Sequence, residues 1–189
     1  MYYLQLFING IALGSVYSMI ALGFTLIYSI LKFSNFSHGG IMVISAYVAY
    51  EIQLRLGHKF STMMLLIFIF GGLLSCFVQF IGFERLRRQK SNIMLYFVSS
   101  ATLGIMMQNI ISIKYSSFFY AYPAFFKPPF ISIGQFTVSV TDLMMLGISI
   151  VVIIALMLML YKTRTGIAIR ALAMDSQTVQ LMGVNVSLV

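Results

Sequence analysis

The sequence predicts an all-α, polytopic membrane protein of about five transmembrane helices, with its N-terminus outside and its C-terminus inside. Three observations carry this. Of 189 residues, 60% are apolar and only 8% are charged, against about 25% charged in an ordinary soluble domain. Mean hydropathy is +0.98. The ionisable side chains fall between long charge-free runs rather than within them. A water-soluble globular domain, a disordered tail and a secreted disulfide scaffold are all excluded. The single cysteine, Cys76, has no partner for an internal bridge.

Crossing the bilayer hydrocarbon takes about 20 residues at about 1.5 Å each. Met1–Leu31 is free of charge and ends at Lys32. Phe33–Tyr50 is bounded by Glu51 and Arg55, and it opens with polar residues. Phe60–Phe83 stops at Glu84, Ser91–Ile113 at Lys114, and Leu143–Tyr161 at Lys162. Nothing basic precedes the first run, which is also too long for the apolar region of a signal peptide, so it reads as a retained span.

Orientation follows from Lys and Arg. With the N-terminus outside, the inner side holds Lys32, Arg85, Arg87, Arg88, Lys90, Lys162, Arg164 and Arg170. The outer side then holds only Arg55, Lys59, Lys114 and Lys127. The net charge of +8 is therefore a topology signal and a lipid contact, and no nucleic-acid partner is expected. The cluster from Glu84 to Lys90 reads as headgroup anchoring. Glu84–Arg88 and Glu51–Arg55 are spaced i,i+4, which supports a helix locally.

The first span places Gly10, Gly14 and Ser18 four residues apart, with Ala21 near the same face and Asn9 alongside. Small residues let a second helix approach closely, which matters where lipid supplies no hydrophobic drive for association. Gly71, Gly72 and Ser75 repeat the pattern in the third span, while Cys76 and the methionines read as apolar filling. In the fourth span the adjacent carboxamides of Gln108 and Asn109 are costly unless they face a partner helix or a wet cavity. That helix is expected to line an interior surface. No Asp, Glu, Lys or Arg lies deep in any span, which counts against an ion-coupled carrier.

Between the fourth and fifth spans, Tyr115–Thr141 holds all three prolines and nine aromatics, the composition of a segment lying along the membrane interface. Ile131–Ile133 and Phe136–Val140 alternate apolar and polar about Gly134-Gln135, predicting a short outer hairpin. Asp142 is expected to cap the fifth span and favour its dipole. After Tyr161 the chain turns basic and amphipathic. Asp175-Ser176 is set to cap a short helix through Gln177–Met182, with Gly183 as its left-handed stop. That helix would present Val179 and Met182, to a protein partner or to the membrane surface.

Catalytic motifs fail on inspection. Lys90-Ser91 and Lys162-Thr163 lack the glycines of a Walker A loop. His38 and His58 are too far apart for a helical metal pair. Asn35 stands where a Ser37 nucleophile elbow needs glycine. Asn35-Phe36-Ser37 matches a glycosylation acceptor but falls on the expected inner side. No enzyme, metal or cofactor is expected.

Three stretches carry a resemblance. They are Asn9-Gly10 through Gly14-Ser15-Val16-Tyr17 to Ala21–Tyr28; Phe33–Gly39; and Arg164-Thr165-Gly166 with Arg170-Ala171 through Leu181–Val186. Together they are similar to the permease subunits of ABC importers for branched-chain amino acids, the first of the two membrane subunits. The segment with Asn35, His38 and Gly39 is the most specific part. The resemblance implies a non-catalytic subunit of the cytoplasmic (inner) membrane. It would pair with a second permease subunit, take substrate from an extracytoplasmic binding protein, and be driven by cytoplasmic ATP-binding subunits. Asp175, Ser176, Val179, Leu181, Met182 and Gly183 would form the helix that couples to the ATPase. The family usually has alanines near Thr178 and Val179, so this chain departs there.

Family members continue with several more membrane helices. The chain therefore reads as one permease membrane domain, 1–189, with an inner coupling segment at 162–186 and an incomplete C-terminus. A separate polypeptide supplies the rest, or the chain is a truncated product; the loss of packed helices favours truncation. Importers of urea or short amides share these motifs and remain open. So do a passive channel or secondary carrier and a remnant that transports nothing.

Overall fold

The computed structural model describes residues 2–57, 59–89, 91–116, 120, 130–133, 136–175, 179 and 182. In chain order the elements are α1 (Tyr2–Leu31), α2 (Ser37–Leu56), α3 (Phe60–Gly82), α4 (Glu84–Arg88) and α5 (Ile93–Tyr115). There follow β1 (Phe130–Ile133), β2 (Phe136–Ser139), α6 (Val140–Lys162) and α7 (Arg164–Met174). They form two compact units, Met1–Lys32 with Phe126–Val189, and Phe33–Phe125.

Among the described residues, four helices are long and apolar enough to cross a membrane: Gln5–Leu31, Phe60–Gly82, Ile93–Tyr115 and Val140–Lys162. The fifth expected span is α2. Its 20 residues reach about 30 Å, enough in length. Ser37-His38-Gly39-Gly40 at its start, with Glu51, Gln53 and Arg55 near its end, make it the most polar of the five. It also starts four residues after Phe33, because Ser34–Phe36 form a loop. On the apolar helices large side chains face outward, Phe68 at 83% exposure and Ile113 at 86%. A lipid solvent tolerates that arrangement and water does not.

In the first unit, α1 closes at Lys32, whose φ of 58° puts a non-glycine residue in the left-handed region. Its N–H donates to Tyr28 O at 2.9 Å, and its ammonium donates to Ala173 O in the last turn of α7. A cation at a helix C-terminus satisfies an orphan carbonyl and opposes the helix dipole. β1 and β2 pair antiparallel with Ile133 opposite Phe136 and Phe130 opposite Ser139; Gly134 and Gln135 lie outside the described residues. Val140, expected in the second strand, instead begins α6. This earlier start corrects the role of Asp142: it sits in the first turn, behind Ser139 in the N-cap position. There its charge favours the dipole without capping. At the far end, Thr163 caps α7, its Oγ1 accepting from Gly166 N–H at 3.0 Å and donating to Met159 O at 2.6 Å. A Cβ on Gly166 would collide with the backbone of Met159 and Leu160, so only glycine lets α7 fold back against the end of α6.

In the second unit, α2 packs along α5 with both running the same way. Gly40 meets Gly104 and Met107, and further along Tyr47 meets Tyr115 with ring centroids 4.5 Å apart. A core of Phe33, Val78, Phe83 and Met107 sits beside them, covered by Ile41, Ile44, Tyr96 and Leu103. Phe33 packs its ring at 5.8 Å from Phe83 and 5.6 Å from Tyr96, within the range of favourable aromatic pairs. Asn92 caps α5, its side chain accepting from Met94 N–H at 3.3 Å. Cys76, expected as apolar filling, is exposed on α3.

Candidate functional site

The Asn-Phe-Ser-His-Gly segment becomes the entry turn of α2. Asn35 Oδ1 accepts from Ser37 N–H at 3.1 Å and from Ser37 Oγ at 2.6 Å. The Asn35 carboxamide thereby satisfies a first-turn donor that the helix itself cannot. Ser100, fully buried on α5, holds this turn from the other side. Its hydroxyl accepts from Phe36 N–H at 3.3 Å and lies 2.7 Å from Phe97 O and 3.3 Å from Ser34 O. His38 is half-buried beside it.

Close helix approach occurs here, at residues the sequence did not single out. A Cβ on Gly104 would lie 2.8 Å from Phe36 O, and one on Gly40 would lie 2.9 Å from Met107 Sδ and 3.1 Å from Gly104 Cα. Ser100 and Gly104 are one turn apart, so a small-xxx-small pattern was available as the signal. Gly39, which the resemblance emphasised, is exposed and has nothing within 4 Å of its Cβ position.

The stripe on α1 behaves differently. Asn9, Gly10, Gly14 and Ser18 are all exposed, and nothing lies within 4 Å of a Cβ built on Gly10 or Gly14. Ser18 turns its hydroxyl back to Gly14 O at 2.9 Å. Ala12 is the buried residue among those described on this helix. The small face is thus open among the described residues. Gln108 and Asn109 are exposed too, whereas α5 buries Ser100, Gly104 and Met107. The expected interior face of that helix is the glycine face, and the carboxamides lie off it.

In the inner segment, Asp175 leaves α7 with extended backbone, φ −150° and ψ 106°. Its carbonyl accepts from Val179 N–H at 3.3 Å, one helical turn on. Val179 is buried at 7% exposure and Met182 is 77% exposed. Of the two side chains expected at the surface, Met182 is exposed and Val179 is buried. Ser176, Leu181 and Gly183 lie outside the described residues. Among the described residues no cluster of His, Cys, Asp or Glu could hold a metal ion.

Residues 6–189 match the family described as branched-chain amino acid transport system, permease component. The chain is 29% identical over 98% of its length to the high-affinity branched-chain amino acid transport system permease protein LivH of Salmonella typhimurium. It is 28% identical over 98% to LivH of Escherichia coli K12. To the corresponding protein BraD of Pseudomonas aeruginosa it is 26% identical over 97%. The chain spans 63% of the length of each of these relatives. No solved structure matches. With its long apolar helices and a family match from residue 6 to residue 189, the chain is a multi-pass membrane protein belonging to the branched-chain amino acid transport permease family.

Proposed function

We propose that this chain acts as a membrane permease subunit of an ABC importer carrying branched-chain amino acids across the cytoplasmic membrane. The single observation behind this reading is the family match along residues 6–189, shared with relatives named for high-affinity branched-chain amino acid transport. In this reading the N-terminus faces outward, which puts the bases at 85–90 and 162–170 on the cytoplasmic side. A second permease subunit seats against the open Gly10–Gly14–Ser18 face, with Asn9, Gln108 and Asn109 directed to partner helices or a wet pathway. An extracytoplasmic binding protein delivers substrate. ATP-binding subunits supply the energy and grip the Asp175–Gly183 segment through exposed Met182.

The test is co-expression with the candidate partner subunits, followed by co-purification and energised uptake of labelled leucine. An ATP-binding subunit retained by the wild-type chain and lost with Met182→Asp supports the coupling role; unchanged capture refutes it. Leucine uptake that survives removal of every ATP-binding subunit would instead identify a carrier. Cysteine labelling that places 85–90 and 162–170 on opposite sides would overturn the orientation.

A further inference from the structure

A cavity of about 230 Å³ opens between α1, α6 and α7. Its walls are mostly hydrocarbon, from Leu22 and Leu26 of α1, Leu160 of α6 and Ile169 of α7, with Thr25 and Ser29 of α1 as uncharged polar members. Ser29 donates its hydroxyl to Leu26 O at 2.8 Å, which satisfies its proton within α1. Among the described lining residues Arg170 bears the charge. Its guanidinium lies over the Tyr161 ring, 4.7 Å from the centroid, which engages the planar face and leaves the N–H edges for oxygen acceptors. No carboxylate pairs with it among the described ion pairs.

Depth along α1 fixes what such a cavity meets. Leu22 is ten residues before Lys32 and Ser29 three, so the cavity runs from about 15 Å to about 5 Å below that lysine. In a bilayer bounded by the basic positions 32, 162 and 164 its far end would meet acyl chains, and Arg170, over the Tyr161 ring, would lie toward the headgroups. The volume holds about seven or eight waters' worth of space at about 30 Å³ each, suited to a short length of hydrocarbon and not to a drug-sized ligand. One arginine beside a mostly apolar slot is complementary to a negative headgroup carrying an aliphatic tail.

We propose that this cavity is a binding site for one anionic phospholipid, its acyl chain between Leu26 and Leu160 and its phosphodiester on Arg170. The site requires only that the chain resides in a bilayer, so it stands or falls separately from the transport reading. The experiment is native mass spectrometry of the purified full chain with phosphatidylglycerol or phosphatidylcholine of identical acyl chains. The wild-type chain is expected to retain one phosphatidylglycerol at least about fivefold more strongly than phosphatidylcholine, the factor expected of one basic side chain near a membrane surface. Arg170→Gln abolishes that preference and Arg170→Lys keeps part of it. Leu26→Trp, which fills the slot without changing charge, lowers retention of both lipids and serves as the test should Arg170→Gln fail to fold. Equal retention of the two lipids by the wild-type chain overturns the proposal. So does an unchanged preference in Arg170→Gln or unchanged retention in Leu26→Trp. Displacement by glycerophosphoglycerol alone, or occupation of the slot by a second copy of the chain, also overturns it.

Discussion

Tyr115 donates its phenolic hydroxyl to Glu51 Oε1 across 2.7 Å, joining the C-terminal ends of two helices 64 residues apart in sequence. The same carboxylate takes Arg55 at 3.0 Å from its own helix and Lys114 at 3.3 Å from α5. Lys114 also stands over the Tyr115 ring at 4.9 Å. One acid therefore gathers two cations and a hydroxyl. Glu51→Ala should lower the thermal midpoint in detergent more than Tyr115→Phe does, because it leaves Lys114 and Arg55 without their shared counter-charge. Added salt should shrink the part owed to the cations and spare the hydroxyl's. Equal midpoints for the two variants would contradict this.

Gly104→Val and Gly40→Val should each destabilise the chain by about 1–3 kcal/mol or more, the usual cost of overpacking a tight contact. Backbone of Phe36 and the Met107 side chain occupy the space that the new atoms need. Gly39→Ala and Gly14→Ala meet nothing within 4 Å and should leave the denaturation midpoint nearly unchanged. Thermal melts of the four variants check the ranking.

Gly14→Leu should separate folding from assembly. The chain's own midpoint should stay close to wild type, since that face is open. Recovery of a second permease subunit on co-purification should fall, since a bulky residue blocks close helix approach. Undiminished recovery would remove the stripe from the interface.

Thr163→Ala should loosen the elbow between α6 and α7 by about 1 kcal/mol, the typical worth of an N-cap side chain. Gly166→Ala should cost more, because the added methyl meets main chain that has no rotamer to change. Protease sensitivity around residues 162–166 is the readout, rising in the order wild type, Thr163→Ala, Gly166→Ala.

The carboxyl of Glu84 is held below the ordinary glutamate range, first by its hydrogen bond with Arg88 and then by the charges of Arg87 and Arg88. A pKa depressed on folding means that the pair's contribution is complete above the ordinary glutamate value of about 4.3. It is lost as pH falls through the folded-state value. Order in α4 should therefore be flat from neutrality to that point and decline in more acid solution, a decline absent in Glu84→Gln. Carboxyl-carbon NMR of Glu84 titrating at or above the ordinary value would refute it.

Local chemistry made much of this molecule legible. A charge in hydrocarbon is expensive, so charge-free runs marked α1, α3, α5 and α6 closely, whereas α2 starts later and runs on through Glu51 and Arg55 to Leu56. Alternation about Gly134-Gln135 marked the strand pair. The i,i+4 spacing of Glu51–Arg55 and Glu84–Arg88 marked two ion pairs, both formed at 3.0 Å. The motif around Asn35 was visible as a string, and the turn it builds with Ser37, held at Phe36 N–H by Ser100, was not.

What the sequence by itself determined was thus which segments are long and apolar enough to cross a membrane and which family they belong to, because each rests on a few neighbouring residues meeting one solvent. Which faces meet was decided by tertiary structure alone. Gly10–Gly14 and Gly40–Gly104 are both small enough for close approach, yet only the second pair is used within the chain. Gln108 and Met107 are adjacent, yet only Met107 turns inward; Val179 is covered and Met182 is not. In lipid every apolar face is equally soluble, so hydropathy ranks segments but cannot choose between their sides. That choice falls to shape and hydrogen bonding between residues far apart in the chain.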